Sequence, residues 1–388
     1  MNKKIVFPKK DVLRMMESMR RPNGAFMASV TPPYRDLWWR DHLYCTDAYW
    51  YLGDYNKLRK GIWLVFDYLK GADERGGKGQ KQKMMRRISS PIDIPHGVIH
   101  TKCNADTLEE ITTDDGWGHH QLCWIGLFLH MVADFDFKNI RIIRDGEDIE
   151  ILQLLVFYLR SVEYWGGADN NIKPDFGMWE LCKIRHSSSI GAVTDGLSRI
   201  RQRRLTQVDI PDSLIEYGVD ALHKILPWES RDNCGFRHHR HCCDAAQLTL
   251  LWPFNIIVNP THADTVLNRI VDGHLADNGE FHHLVQTHGL NRHWGDDYYR
   301  STEGKYIGIS AEWNIFKFWI SIIYSQRHDV ANAAYWFSEA CKGIIDGKIS
   351  EAFQNGKPNE QNPLAWAHAI ALIAFQKLPP EQQKEFGE

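Results

Sequence analysis

Two glutamates far apart in the chain sit in surroundings suited to acid–base chemistry. Glu180 lies in KPDFGMWELCKIRHSSSIGA (173–192), after Gly-Met-Trp and before three serines that read as a helix start. A carboxyl packed against an indole has its pKa raised, which a general acid near neutral pH requires. Glu351 lies in GKISEAFQNGKPNEQNPLAWAHA (347–369), before a short turn and a helix. Two carboxyls flanking a glycosidic bond are the minimum for glycoside hydrolysis. Other loops add Arg40 and Asp41 after Trp38 and Trp39. They also hold Trp117, His119 and Gln121 in DDGWGHHQLCW, and Arg292, Asp296 and Tyr298 in GLNRHWGDDYYR. Arg-Asp pairs grip vicinal hydroxyls by charge-assisted hydrogen bonds. Indole faces stack on the apolar faces of sugar rings.

Apolar residues recur at helical spacing, and strand-like alternation is scarce. The pattern predicts helices near 9–20, 40–53, 54–70, 117–134, 147–164, 187–204, 211–226, 243–256, 261–273, 309–327, 328–346 and 363–377. Numbered in order, links from an odd helix to the next even one are long, and the even-to-odd links are short. Antiparallel helices around a closed ring put all odd-to-even links at one end, where loops on a rigid scaffold carry function. The expected fold is all-α, an (α/α)6 barrel of about twelve helices. Its active site is expected at the end bearing the long loops. No divider rich in Pro, Gly or Ser is evident, so residues 1–388 read as one domain. The stretch of about 71–116 reads as a loop insertion.

With 388 residues, a net charge of −3, 43% hydrophobic and 24% charged residues, the composition is that of a soluble globular protein. That balance excludes the basic footprint of a nucleic-acid binder. The basic stretches 78–87 and 199–204 read as a solvated loop and a helix end. Aromatic content is unusual, with 15 Trp, 14 Tyr and 17 Phe, several of them in loops. The cysteines show no framework spacing, MNKKIVFPKK has no apolar signal core, and no run is long enough to span a membrane. The cytoplasm is the expected location. CGFRHHRHCC gathers Cys234, His238, His239, His241, Cys242 and Cys243, but their spacing matches no standard zinc pattern. No metal and no cofactor is expected. Ser187, Ser188 and Ser189 lack a Gly-x-Ser-x-Gly elbow and read as helix capping.

These residues resemble the glucoamylase-type enzymes of glycoside hydrolase family 15, and the related N-terminal region of the phosphorylase kinase alpha subunit, over about residues 34–375. WWRDH resembles the family's W-x-R-D motif, which implies that Arg40 and Asp41 hold the non-reducing-end glucose. WGHHQ is similar to W-G-x-x-Q, which implies that Trp117 borders the site, with His119 and Gln121 beside it. GMWE resembles the W-E motif, which implies Glu180 as general acid. NRHWGDDYY resembles R-Y-x-x-D-x-Y, which implies Arg292, Asp296 and Tyr298 near the leaving group. KISEAF resembles the S-E-Q segment, which implies Glu351 as general base, and NPLAWAHA is similar to the helix that follows it. Some positions depart from the family. Cys123 stands where relatives often have Asp, Leu181 where fungal members have a second acid, and His293 where the motif has Tyr. The N-terminal β-sandwich of prokaryotic members is not expected.

The resemblance implies an exo-acting, inverting α-glucosidase acting on α-linked gluco-oligosaccharides. Such a pair needs about 6.5–9.5 Å between carboxyls to hold a water. Trp38, Trp117 and Trp313 would supply apolar walls. Trp179 would either join them or pack into the barrel wall. The linkage stays open between α-1,4, α-1,6 and trehalose-type α-1,1. A catalytically silent sugar-binding or regulatory relative is the alternative.

Overall fold

The computed structural model describes residues 5–387, apart from 33, 72–78, 91–97, 112–116, 169–170, 181, 203–206, 233–242, 276–278, 280, 295, 297 and 299–310. The helices in chain order are α1 (Lys9–Ser18), α2 (Trp39–Leu52), α3 (Tyr55–Lys70), α4 (Gln80–Ser89), α5 (Cys123–Phe137), α6 (Gly146–Ser161) and α7 (Ser187–Gln202). There follow α8 (Asp212–Ile225), α9 (Leu248–Leu251), α10 (Pro260–Val271), α11 (Ile315–Gln326), α12 (Val330–Cys341), α13 (Ala365–Lys377) and α14 (Pro380–Phe386). Two-residue strands pair antiparallel in the loops: β1 (Leu37–Trp38) with β2 (Lys102–Cys103), β3 (Gly167–Ala168) with β4 (Asn171–Ile172), and β5 (His274–Leu275) with β6 (Phe281–His282). β7 (Ala311–Glu312), β8 (Phe353–Gln354) and β9 (Lys357–Pro358) form a three-stranded ribbon.

Contacts close a ring. α2 packs on α5, α5 on α7, α7 on α9, α9 on α11, α11 on α13, and α13 back on α2. Outside it, α1 covers α13, α3 covers α2, α8 covers α7, α10 covers α9 and α12 covers α11, while α6 lies against α3. This is the (α/α)6 barrel that the spacing predicts. Burial follows the layers. α13 is buried at every position from Ala365 to Phe375, and α5 from Cys123 to Ala133. Such all-round apolar helices are stable only with neighbours on every face. The outer helix α3 buries a stripe that includes Leu58, Ile62, Val65 and Leu69, and leaves polar residues outward. The inner pair α5 and α7 approach at Gly126, where a Cβ would lie 2.3 Å from the carbonyl carbon of Ala192.

Several boundaries differ from expectation. The segment 117–122 is loop, and α5 begins at Cys123, because Asp175 Oδ2 takes the Leu122 N–H at 3.0 Å. The helix expected over 243–256 is a 3₁₀ turn, Ala245–Gln247, and then α9. Pro253 ends it, since proline disfavours helix in the residue before it and offers no N–H. The expected start at 309 falls outside the described residues, and α11 begins at Ile315. The stretch 71–116 is not bare loop: it holds α4, which packs on α6, and β2. α14 lay beyond the last expected helix; its Phe386 is buried in the core, and its carbonyl accepts from Phe7 N at 2.8 Å. Among the described residues, no helix is long and apolar enough to cross a membrane.

Candidate active site

The loops that lead into the inner helices converge on one cavity of about 270 Å³. β1 and the first turn of α2 supply Trp38, Arg40 and Asp41. The approach to α5 supplies Trp117, and the approach to α7 supplies Met178, Trp179 and Glu180. The long link before α11 supplies Arg292, Tyr298 and Trp313. The approach to α13 supplies Glu351, Leu364 and Trp366, and Tyr34 comes from the loop before β1. Inner-helix N-termini therefore point at the cavity, and their partial positive charge favours carboxylates there.

Arg40 is the hub. Its Nη1 donates to the Met178 carbonyl at 2.6 Å and to Gln121 Oε1 at 3.5 Å. Its Nε lies 3.3 Å from Asp41 and its Nη2 3.6 Å from Glu180 Oε1. The guanidinium also stacks 5.2 Å from the centroid of Trp366. Burial pushes the Asp41 carboxyl up to about 7, with Arg40 opposing and the charges of Glu180 and Glu351 reinforcing.

Glu180 sits on a tight turn at φ 64°, a left-handed conformation that costs a non-glycine residue about 1–3 kcal/mol. Arg40 holds this turn by the Met178 carbonyl. Trp179 Nε1 anchors it by donating to Asp244 Oδ1 at 2.7 Å. Burial raises the Glu180 pKa, and Arg40, Lys102 and Arg292 oppose that rise. The side chain keeps 22% of its surface open, toward the cavity.

Glu351 is held differently. Its backbone N–H donates to the Gln361 carbonyl at 2.9 Å, closing the loop over the β8–β9 hairpin. Tyr34 Oη donates to Oε1 at 2.9 Å. Tyr298 Oη and Asn359 Nδ2 donate to Oε2 at 2.5 and 2.9 Å. Burial raises its pKa too, but these three donors favour the ionised form.

Aromatic walls close the cavity. Trp38 stacks on Tyr34 at 5.3 Å and meets Trp117 edge-on at 6.3 Å. Lys102, opposite Trp38 in the β1–β2 ladder, places Nζ 4.9 Å from the Trp38 ring and 5.0 Å from Trp117. Trp179 packs 5.9 Å from Trp313. The indole N–H of Trp179 is tied into the barrel by Asp244, and its ring lines the cavity.

Of the residues singled out in the sequence, Trp38, Arg40, Asp41, Trp117, Trp179, Glu180, Arg292, Tyr298, Trp313 and Glu351 meet at this cavity. Gln121, His119 and Asp296 stand behind it. Gln121 Nε2 donates to the Gly118 carbonyl at 2.8 Å. His119 stacks on His100 at 3.9 Å and packs against Trp117. Asp296 accepts from Arg292 through N, Nε and Nη2, so it aims that guanidinium; burial pushes its carboxyl up, but Arg292 outweighs burial and leaves it low. Sequence reading missed Tyr34, Asn359, Lys102 and Trp366. Tyr34 precedes the WWRDH stretch, and Trp366 sits in the first turn of the helix after Glu351, so proximity to those stretches was the available signal. Asn359 and Lys102 carried none. Cys123 is buried, which pushes its thiol up to about 12, so a neutral group stands beside Arg40. His293 is buried and is not among the residues that line the cavity. Leu181 and residues 234–242 of the His/Cys-rich stretch lie outside the described residues.

The (α/α)6 ring is a fold that solved glycosidases share. The chain belongs to glycosyl hydrolases family 15, whose profile matches residues 9–242. It is similar to the phosphorylase b kinase regulatory subunit alpha, liver isoform, of Mus musculus, at 28% identity over 223 residues. That match covers 52% of this chain and 18% of that subunit. In fold it resembles a glycosidase variant solved in complex with glucose, with a TM-score of 0.72 and 15% identity over 96% of this chain and 97% of that one. It also resembles the glucoamylase of Saccharomycopsis fibuligera, with a TM-score of 0.62 and 12% identity over 99% and 98%.

Proposed function

We propose that the chain is an exo-acting, inverting α-glucosidase that releases β-glucose from the non-reducing end of short α-1,4- or α-1,6-linked gluco-oligosaccharides. One observation carries the reading: a half-buried glutamate, Glu180, and a buried one, Glu351, face one cavity in unequal environments. Glu180 has a raised pKa and a face open to an incoming ligand. Glu351 has three hydrogen-bond donors that favour its carboxylate. That inequality separates a proton donor from a base.

In this reading Glu180 gives its proton to the glycosidic oxygen as the bond from C1 to that oxygen breaks. Glu351 takes a proton from a water whose oxygen bonds to C1 from the opposite face. Oε1 of Glu351 accepts only from Tyr34 among the described residues, which leaves a lone pair for that water. The leaving sugar departs as a neutral alcohol; Glu351 then releases the proton it took to solvent and Glu180 takes one up from solvent, which restores both groups for the next turnover. Arg40 and Asp41 grip hydroxyls of the terminal glucose, and Trp38, Trp117 and Trp313 cover its apolar faces. The chemistry requires neither a metal nor a cofactor. The proposed setting is the cytoplasm, which suits the free, buried cysteines among the described residues.

The test is glucose release from maltose, isomaltose, panose, trehalose and maltotetraose, with the anomer read by NMR, beside Glu180→Gln and Glu351→Gln. Release of β-glucose by wild type, with both variants nearly dead, supports the assignment. Release from trehalose alone replaces the linkage. The similarity to a kinase regulatory subunit favours a second reading, a sugar-binding relative without turnover. Glucose binding with no hydrolysis of any of the five sugars would establish that one instead.

A further inference from the structure

A basic pocket stands at the end of the ring opposite the cavity. Positions 56, 59, 60 and 63 recur at helical spacing, so Asn56, Arg59, Lys60 and Trp63 share one face of α3 near its N-terminus. Arg141 and Arg144, on the link from α5 to α6, complete a hollow of about 490 Å³. α3 begins where α2 ends, so this hollow lies one helix length, roughly 20 Å, from Arg40 and Asp41 at the other end of α2.

Four cations line this pocket and no carboxylate does. In a chain whose net charge is −3, that is a local reversal of sign. Arg144 is already compensated, by Asp67 at 2.7 Å and Asp148 at 2.8 Å. Arg59 donates to Asn56 Oδ1, a neutral acceptor, at 2.5 Å. Lys60 and Arg141 meet no acidic partner among the described residues. Lys60 and Arg141 are exposed, so an anion seated between them would gain charge-assisted hydrogen bonds without first displacing an acidic partner.

Trp63 sets the shape of that anion. It is half-buried, and its Nε1 donates to the Ile142 carbonyl at 2.7 Å. The indole N–H is therefore committed within the protein, and the ring face is what remains for a ligand. The Arg144 guanidinium stands over the ring, 5.8 Å from its centroid. A bare inorganic anion would leave the ring uncovered, while a hollow of this size suits a small organic molecule.

We propose that this pocket binds a phosphate monoester carried on a ring, its phosphoryl oxygens between Arg59, Lys60 and Arg141 and its ring against Trp63. Guanidinium and ammonium groups suit that charge, and the arginines match its oxygens pairwise. A sugar phosphate and a nucleoside monophosphate share this chemistry.

Calorimetric titration of the full chain at fixed ionic strength tests it, with glucose 6-phosphate, adenosine monophosphate and inorganic phosphate as probes. Saturable binding of one ring-bearing probe, about tenfold tighter than inorganic phosphate, is expected. Which of the two rings binds identifies the source. Lys60→Gln with Arg141→Gln should weaken that binding by about a hundredfold. Trp63→Leu should remove the advantage over inorganic phosphate. Glucose release should stay unchanged in the charge variants, since both lie at the far end of the ring. Flat titrations for all three probes would overturn the proposal. So would binding that survives the two charge substitutions, because the ligand would then sit elsewhere.

Discussion

The Tyr298 hydroxyl donates to Oε2 of Glu351 at 2.5 Å, and Tyr34 and Asn359 each donate to the same carboxyl at 2.9 Å. A base must be ionised to work, and burial alone would hold Glu351 protonated to higher pH. The three donors oppose that burial, which still leaves the carboxyl above its ordinary value.

Removing one of them has a signed consequence. Tyr298→Phe leaves the ring against Trp313 but takes away the donor, so the Glu351 pKa rises further. The acidic limb of the pH–rate profile should move to higher pH. At the optimum, kcat should fall about tenfold to a hundredfold with little change in KM. An acidic limb that stays in place would mean that Glu351 is not the group that must lose a proton.

Lys102 acts on the other glutamate. Its charge opposes the rise that burial imposes on Glu180, and its ammonium lies against both Trp38 and Trp117. An acid must be protonated to work, so Lys102→Gln, by raising the Glu180 pKa, should shift the alkaline limb to higher pH. Losing two cation–π contacts should also loosen the wall and raise KM a few-fold. Lys102→Arg should restore KM more fully than Gln does. An unmoved alkaline limb would remove Lys102 from the acid's surroundings.

The ring was legible in the sequence because loop lengths alternate, and α2, α3, α7 and α13 begin and end within a few residues of their expected bounds. α9 was misjudged because local apolar spacing runs on past Pro253, while the helix ends at Leu251, just before the Trp252-Pro253 pair. α4 lacks a strong local signal; it is held by tertiary contacts such as the ion pair between Lys83 and Glu110. Within the site, groups that bear a motif were found and their supports were not. Tyr34 and Asn359 reach Glu351 only through the folding of separate loops, which no spacing encodes. The serines at the start of α7 show a related miss. They were expected to cap the helix themselves, yet Ser187 and Ser188 donate their hydroxyls to Glu229, at 2.7 and 2.5 Å. The acceptor comes from a distant loop because a buried helix start needs a charge that no serine supplies.

Gly126 sets the separation of the inner helices α5 and α7. A Cβ there would lie 2.3 Å from the Ala192 carbonyl carbon and 2.5 Å from Val193 N, both of them backbone atoms that cannot rotate away. Gly126→Ala should therefore cost about 3 kcal/mol, read as a lower urea midpoint with unchanged slope. Gly146, where a Cβ meets nothing within 4 Å, is the control. Gly146→Ala should stay within about 0.5 kcal/mol of wild type. Equal midpoints for the two variants would mean that α5 and α7 do not approach so closely.

His186 and Glu229 make stability depend on pH beneath the Glu180 turn. The imidazole lies between two acceptors, Glu229 Oε1 at 3.3 Å and the Cys182 carbonyl at 3.0 Å, and only the protonated ring can donate to both. Burial pulls its pKa down, but the Glu229 hydrogen bond and the charges of Asp175 and Glu229 outweigh burial, so the folded pKa lies above 6.5. A group raised in this way stabilises the fold fully below its unfolded pKa, and the contribution is lost as pH rises through the folded value. Glu229→Gln should thus cost about 2 kcal/mol near pH 6 and less near pH 8. The difference in unfolding free energy between wild type and variant isolates the pair from other titrating groups. The effect should reach the site as well. The ring of His186 fills the space beside Gly177, where a Cβ would meet its Cε1 at 2.7 Å, and Gly177 opens the turn that carries Glu180. Glu229→Gln should accordingly lower kcat more than it raises KM, because a displaced acid impairs the chemical step before it impairs binding. A stability difference that is flat from pH 6 to 8 would sink the linkage. A kcat unchanged beside a clear stability loss would separate this pair from the acid it underlies.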